Sequence, residues 1–241
     1  MRICILIPVF NEEAVIEESV ETILSYAERL PCETHLFIVN DGSTDRTEAI
    51  LTGLMERKAD SGLKVIRHES NQGYGAALRT GIQHAVEHGY DYVLFMDSDL
   101  TNHPRYLERF YKKMEEGCDY IKATRYAKGG GVEGVPLGKR IISATGNFIA
   151  KILFGLPLTD FTNGFRAVKT DILRKMNLTE KGFVIIMEEL YQAKGLARSF
   201  CDVPYVLTSR GQGKGQTHFS YSPRVCLQYF SYAVKSFLKR K

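Results

Sequence analysis

Three stretches of this chain are apolar without alternation, and each stops at polar or turn-forming residues. Ile3-Cys4-Ile5-Leu6-Ile7 ends at Pro8, Leu36-Phe37-Ile38-Val39 runs on to Asp41-Gly42-Ser43, and Tyr92-Val93-Leu94-Phe95-Met96 ends at Asp97. A strand wetted on one face alternates apolar with polar, so runs of this kind belong to strands covered on both faces. Val65-Ile66 reads as a fourth, shorter strand. Helical patterns fill the gaps. One covers about residues 13–30, and another opens where Asp45 and Glu48 stand three apart, as in a capping box. A third places Leu78, Ile82, Ala85 and Val86 on one face after Gly75. The order βαβαβαβ predicts an α/β chain with a Rossmann-like, doubly wound, mostly parallel sheet.

The second half is less regular. It holds Gly129-Gly130-Gly131, an apolar helix near residues 141–154, and a loop from Arg210 to Gly215. Without a repeat or a linker, the expected division is one α/β domain over residues 1–215 and a C-terminal helical extension over 216–241. In that extension Leu227, Phe230, Val234, Phe237 and Leu238 recur at helical spacing, among Arg224, Lys235 and a final Lys239-Arg240-Lys241. A basic amphipathic helix suits an anionic membrane surface, and the same pattern also suits a core-packing helix with a solvated tail.

The chain has 241 residues, enough for one sizeable core, and a net charge of +4, too small to point to nucleic acid. Residues 1–10 do not read as a secretory leader. No stretch reaches the ~20 apolar residues of a membrane span, because Thr145, Asn147 and Lys151 interrupt the nearest candidate. The five cysteines are scattered without a CxxC pair, so reduced thiols and a cytoplasmic setting are expected. Peripheral contact with the cytoplasmic membrane face is the further expectation.

Ligands of doubly wound sheets bind at the carboxyl ends of the strands. There the sequence delivers Asn11 and Glu12, then Asp41, then Asn71 and Gly73, then Asp97 and Asp99. Asp97-Ser98-Asp99 can aim two hard oxygen donors one way, which suits Mg²⁺ or Mn²⁺ and, through the cation, a diphosphate. Acids after a strand also begin loops or cap helices. Asp41 can accept from a nucleobase or ribose, whereas Asp45 reads as a helix cap. Asn71-Gln72-Gly73-Tyr74-Gly75 is a turn into a helix that can let a ligand approach the backbone, yet it lacks the third glycine of a dinucleotide fingerprint.

Pro8-Val9-Phe10-Asn11-Glu12, Asp41-Gly42-Ser43-Thr44-Asp45, Asn71-x-Gly73 and Asp97-Ser98-Asp99 together resemble glycosyltransferase family 2, whose members have the GT-A fold. Ile141-Ile142-Ser143, Gly146-Asn147, Asp160-Phe161-Thr162-Asn163-Gly164-Phe165-Arg166 and Gly182-Phe183-Val184-Ile185-Ile186-Met187-Glu188 are similar to its dolichol-phosphate mannose synthase branch. The resemblance covers about residues 2–215. It implies inverting transfer of a sugar from a GDP- or UDP-sugar, with Mg²⁺ or Mn²⁺, to a polyprenyl phosphate. It also implies that Pro8, Phe10, Glu12, Val39 and Asp41 cradle the nucleoside, that Asp97 and Ser98 lie along the donor, and that Asp99 binds the metal. Arg125 would face the donor phosphates, Lys139, Arg140 and Ser143 the acceptor phosphate, and Arg210 and Lys214 would sit on a closing loop. Where the branch carries a metal-binding Gln, this chain has Thr101.

A lipid phosphate is already an anion and attacks without a base, whereas a hydroxyl acceptor needs one. Glu188 and Glu189 are the candidate bases for that case, or else they orient the closing loop or the acceptor. The alternatives are therefore the same donor chemistry with a soluble or glycan hydroxyl acceptor, and a non-catalytic nucleotide-sugar-binding module. A nicotinamide-dependent oxidoreductase would need the glycine fingerprint on its first strand, which is absent.

Overall fold

The computed structural model describes residues 1–208 and 223–238. The chain runs β1 (Arg2–Val9), α1 (Ile16–Ala27), β2 (Glu33–Asn40), α2 (Thr47–Arg57), β3 (Leu63–Arg67), α3 (Tyr74–Glu87), β4 (Tyr92–Phe95) and α4 (Leu107–Glu115). It continues through β5 (Tyr120–Thr124), β6 (Gly131–Val132), α5 (Leu137–Phe154), β7 (Arg166–Lys169), α6 (Thr170–Leu173), α7 (Ile185–Leu196), β8 (Phe200–Pro204), β9 (Val206–Leu207) and α8 (Pro223–Leu238).

Seven strands form one sheet in the order β3-β2-β1-β4-β7-β5-β8. Its pairs are parallel except those of β7, which runs against both β4 and β5. The apolar runs divide between two cores by strict alternation. Ile3, Ile5 and Ile7 of β1, with Leu36 and Ile38 of β2, enter the core beneath α1, α2 and α4. Cys4 and Leu6, with Phe37 and Val39, enter the core on the other face, beneath α3, α5, α7 and α8. Continuous apolarity thus arises because each face of every central strand has a helix layer to meet.

The reversal of β7 decides what reaches the site. A parallel strand brings the residues that follow it to the carboxyl edge. β7 pairs Arg166 with Phe95, the last residue of β4, so it brings the residues that precede it, 160–165, to that same edge.

Four local expectations need correction. Pro8 does not stop β1, because its register with β4 ends at Leu6 opposite Phe95 and no amide is required of Pro8 on that side. Asp45 accepts from the Thr47 amide at 3.0 Å, but Glu48 closes no capping box. Its carboxylate takes Asn40 Nδ2 at 2.6 Å and the Arg67 guanidinium instead. The thiols are not all reduced: Cys118 and Cys201 form a disulfide, while Cys4 and Cys32 are free. Parallel pairing of β5 with β8 brings Cys118 and Cys201 to a Cα separation of 6.5 Å across 83 residues of sequence, a proximity that spacing alone cannot reveal.

The fourth correction concerns glycine. The Gly73-x-Gly75 turn is approached by the chain itself. Gly73 has φ 99°, and a Cβ there would lie 2.6 Å from the Lys181 carbonyl oxygen; one on Gly75 would lie 2.1 Å from that of Glu180. The Gly75 amide uses this closeness to donate to the Lys181 carbonyl at 2.7 Å.

The C-terminal helix has two apolar faces. Tyr229, Tyr232 and Ala233 are buried in the second core, and the Tyr232 hydroxyl donates to Glu180 at 2.8 Å. Leu227, Phe230, Phe237 and Leu238, most of the stripe seen in the sequence, stay exposed.

Candidate active site

The loops leaving β1 and β2 are stitched together. Asn11 adopts φ 54°, its amide donates to Ser43 Oγ at 3.0 Å, and its side-chain oxygen accepts from the Thr44 amide at 2.8 Å. The Glu13 amide donates to Asp45 at 3.1 Å, and the Arg46 amide donates back to Glu13 at 3.0 Å. Pro8 and Phe10 are half-buried on this platform, and Glu12 is buried within it.

Two residues expected to touch a nucleoside face inward. The Val39 side chain lies wholly in the second core, so only its backbone can reach a ligand. Asp41 accepts from the amides of Gln72 (3.0 Å) and Gly73 (2.8 Å) and bonds His68 Nδ1 at 2.6 Å. His68 Nε2 in turn bonds Thr80 Oγ1 at 2.9 Å. The Asp41 carboxylate therefore anchors the loop after β3 to the end of β2, a role its position in the sequence did not disclose.

After β4 the chain makes a tight turn, with Leu100 at φ 57°, a conformation sparsely used by residues other than glycine. The turn folds Thr101 and Asn102 back over the aspartates. Asp99 Oδ1 accepts from the Thr101 amide at 3.0 Å and from its hydroxyl at 2.7 Å. Asp97 Oδ2 accepts from Asn102 Nδ2 at 2.7 Å. The Ser98 carbonyl is taken by the Ser19 hydroxyl on α1. Burial first, and then the Asp97 charge, push the neighbouring Tyr74 hydroxyl above the ordinary phenol range.

Among the described residues no three His, Cys, Asp or Glu gather into a cation cage. Two carboxylates with the neutral oxygens of Thr101 and Asn102 are an all-oxygen set. That set fits Mg²⁺ or Mn²⁺, which commonly keep water or substrate oxygens as their remaining ligands. One observation strengthens the fit. Asn102 is buried, and its Oδ1 has no hydrogen-bond partner.

The opposite wall comes from β5, α5 and the approach to β7. Arg125 grips Asp160 bidentately, Nε to Oδ2 at 2.6 Å and Nη2 to Oδ1 at 2.9 Å. Asn147 of α5 clamps the same loop, its Oδ1 accepting from the Phe161 amide at 2.6 Å. Ser143, one turn earlier, accepts from the Tyr126 hydroxyl at 2.8 Å. Beneath them Lys122 is fully buried and donates to the Asn163 carbonyl at 2.5 Å. Arg140 is exposed at the start of α5. The side chain of Lys139, and Arg210 and Lys214 entirely, lie outside the described residues.

Neither candidate base opens onto the site. Glu188 accepts from the Thr179 amide and hydroxyl and from the Glu180 amide, all within 3.0 Å, and so caps the turn before α7. Glu189 forms two 2.6 Å bonds with Arg166 and accepts from the Tyr120 hydroxyl, with no exposed surface on either partner of the ion pair. The catalytic part expected of Glu188 does not fit a buried carboxylate already holding three donors.

A cavity of about 630 Å³ lies between the turn after β4 and the wall built from β5, α5 and the approach to β7. Asp97, Asn102 and Arg125 line its polar end, while Ile142, Ile149 and Phe230 line the end between α5 and α8. On the same two helices Ile141, Phe148 and Ile152 of α5 and Leu227 and Phe237 of α8 stand exposed. Among the described residues no helix is long and apolar enough to cross a membrane.

Comparison with known proteins agrees with this arrangement. Residues 4–176 match the family of glycosyl transferase family 2. The polyprenol monophosphomannose synthase of Mycolicibacterium smegmatis is 29% identical over 215 residues, 88% of this chain and 79% of that one. The undecaprenyl-phosphate mannosyltransferase of Micrococcus luteus is 29% identical over 220 residues, 90% of this chain and 87% of that one. The dolichol-phosphate mannosyltransferase of Pyrococcus furiosus is 30% identical over 92% of this chain and 62% of its own. In fold, the chain is similar to glucosyl-3-phosphoglycerate synthase from Mycobacterium tuberculosis, crystallised with Mn²⁺, UDP and phosphoglyceric acid. That likeness has a TM-score of 0.68 at 21% identity and covers 98% of this chain and 78% of that one. With the family matched over most of its length and the sheet arranged as described, this chain belongs to glycosyl transferase family 2 and is a glycosyltransferase of the GT-A fold.

Proposed function

We propose that this glycosyltransferase moves a hexose, mannose by analogy with its relatives, from a nucleoside diphosphate to a polyprenyl phosphate, with inversion at the anomeric carbon. The observation that carries the reading is the cavity, whose polar end holds Asp97 and Arg125 and whose other end opens among exposed apolar side chains of α5 and α8. A phosphate on a long hydrocarbon chain has the same division of polarity. The relatives named for polyprenol, undecaprenyl and dolichol phosphates support the choice of acceptor.

In this reading Asp97 and Asp99 hold Mg²⁺ or Mn²⁺, which when bound offsets charge on the departing nucleoside diphosphate. Pro8, Phe10 and Glu12 form the floor for the nucleoside. Arg125, held rigid by Asp160, faces phosphate with a preset guanidinium, and Ser143 and Arg140 lie towards the acceptor phosphate. An oxygen of that phosphate attacks the anomeric carbon as the bond to the diphosphate breaks. The attacking oxygen carries no proton, so the engagement of Glu188 and Glu189 elsewhere costs the reaction nothing. The apolar faces of α5 and α8 rest in the membrane surface and hold the lipid mouth at the depth of the chains.

The test is transfer of radiolabel from GDP-mannose and from UDP-glucose, with Mg²⁺ or Mn²⁺, to undecaprenyl phosphate in vesicles or to a panel of free sugars and glycans. Label entering the organic phase only with the lipid and the cation is the expected result, with the product's anomeric configuration read by NMR. Equal labelling of a water-soluble acceptor would overturn the acceptor assignment, and full activity in chelator would overturn the cation's part.

A further inference from the structure

The turn after β4 contains an oxygen whose position has no purpose within the folded chain. Asn102 is 2% exposed. The amide end of its side chain is used, Nδ2 donating to Asp97 at 2.7 Å, but Oδ1 is buried with no hydrogen-bond partner. Buried carbonyls are nearly always satisfied, and one that is not calls for a cause. The left-handed Leu100 returns the chain so that this amide lies against one of the two aspartates and lines the same cavity.

Thr101, the residue aligned with the metal-binding Gln of the resembling branch, is engaged differently. Its amide and its hydroxyl both donate to Asp99 Oδ1, so the Thr101 side chain already has a partner within the turn, whereas Asn102 Oδ1 has none. A hard divalent cation accepts amide carbonyl oxygens readily, and such an oxygen beside two carboxylates completes a protein set of three. We propose that the side-chain carbonyl of Asn102, and not the hydroxyl of Thr101, is the neutral protein ligand of the divalent cation held by Asp97 and Asp99. The inference rests on the cation reading under Proposed function. It assigns two tasks to one side chain, since the amide nitrogen steadies Asp97 while the oxygen meets the metal.

Mn²⁺ binding to the full chain, followed by electron paramagnetic resonance with GDP and in a parallel series with UDP, separates the possibilities without recourse to turnover. Asn102→Leu is expected to weaken Mn²⁺ by about tenfold or more and Thr101→Val by less than about threefold, in keeping with the usual weight of groups around a metal. Asn102→Asp, which restores an oxygen, is expected to recover binding. Unchanged affinity in Asn102→Leu, with binding lost in Asp99→Ala, overturns this inference alone. No Mn²⁺ binding by the unsubstituted chain with either nucleotide overturns the cation reading and this one with it. Should Asn102→Leu fail to fold, the anomalous signal of Mn²⁺ soaked into crystals of the unsubstituted enzyme decides. A peak at bonding distance from Asn102 Oδ1 supports the assignment, and a peak on Asp99 without Asn102 overturns it.

Discussion

Arg125 and Asp160 meet through two parallel bonds of 2.6 and 2.9 Å, with the Asp160 side chain fully buried and the Arg125 side chain 11% exposed. The pair joins β5 to the approach of β7 and fixes a cation at the rim of the cavity. Breaking such a pair from one side leaves a charge with no partner. Asp160→Ala is therefore expected to lower unfolding stability by about 3 kcal/mol in urea titrations, towards the low end for buried pairs because Arg125 keeps some access to water. It should also lower the rate of transfer, because the guanidinium loses its fixed aim. A urea midpoint equal to that of the unsubstituted chain would show that the clamp adds nothing.

Glu188 provides a sharper contrast. A general base replaced by its amide loses roughly 10²–10⁴ in rate. A turn cap replaced by its amide loses stability instead, about 1–3 kcal/mol for the donors left facing an NH₂ group. The three donors on Glu188 predict the second outcome for Glu188→Gln, with single-turnover transfer reduced less than about tenfold. Thermal melts and single-turnover rates on the same preparation distinguish the two.

Lys122 makes stability depend on pH. Burial, and then the charge of Arg166, bring its ammonium down from 10.5 to about 7. Between those values the unfolded chain holds the proton and the folded chain does not, so raising the pH favours the folded form. Relative to Lys122→Met, the unsubstituted chain should gain stability as pH rises from about 7 towards 10 and show no relative change below about 6. Guanidinium titrations at pH 6, 8 and 9.5 read the difference, and parallel curves for the two proteins would refute the assignment to Lys122.

The exposed apolar faces carry the membrane prediction. Phe148 and Ile152 project from α5 at 65% and 55% exposure and do not line the cavity. Replacing both by Ser removes apolar surface worth about 1.5–3 kcal/mol per side chain if fully buried, so vesicle partition should fall about tenfold or more. Co-sedimentation with anionic vesicles measures it. Stability in water should hold or rise, since these side chains meet solvent in the free protein.

The first half of the fold was legible because each apolar run carries its own signature and each exit its own polar residues. Ile3 to Ile7 and Tyr92 to Met96 announce buried strands whatever follows them. The second half was harder for reasons visible in particular residues. Arg166 to Lys169 is four residues long with charge at both ends, and nothing local reveals that it runs backwards between β4 and β5. Cys118 and Cys201 become neighbours only through that sheet order. At the site, residue type was readable while orientation was not. Asp41 and Glu188 look like ligand-facing acids, yet backbone amides elsewhere in the chain claim both. Asn102 shows the reverse: an ordinary amide in the sequence becomes distinctive only once its oxygen is seen to be buried and unmet.

The backward course of β7 has an effect on what the molecule can become. One wall of the cavity hangs from the exits of strands β3 and β4, and the other from α5 and the entry into β7. These are separate lengths of chain, joined through the sheet but not through a shared loop. An insertion or deletion between Gly155 and Phe165 would remodel the second wall while leaving the first four strands in register. New acceptors can thus be tried against an unaltered donor platform.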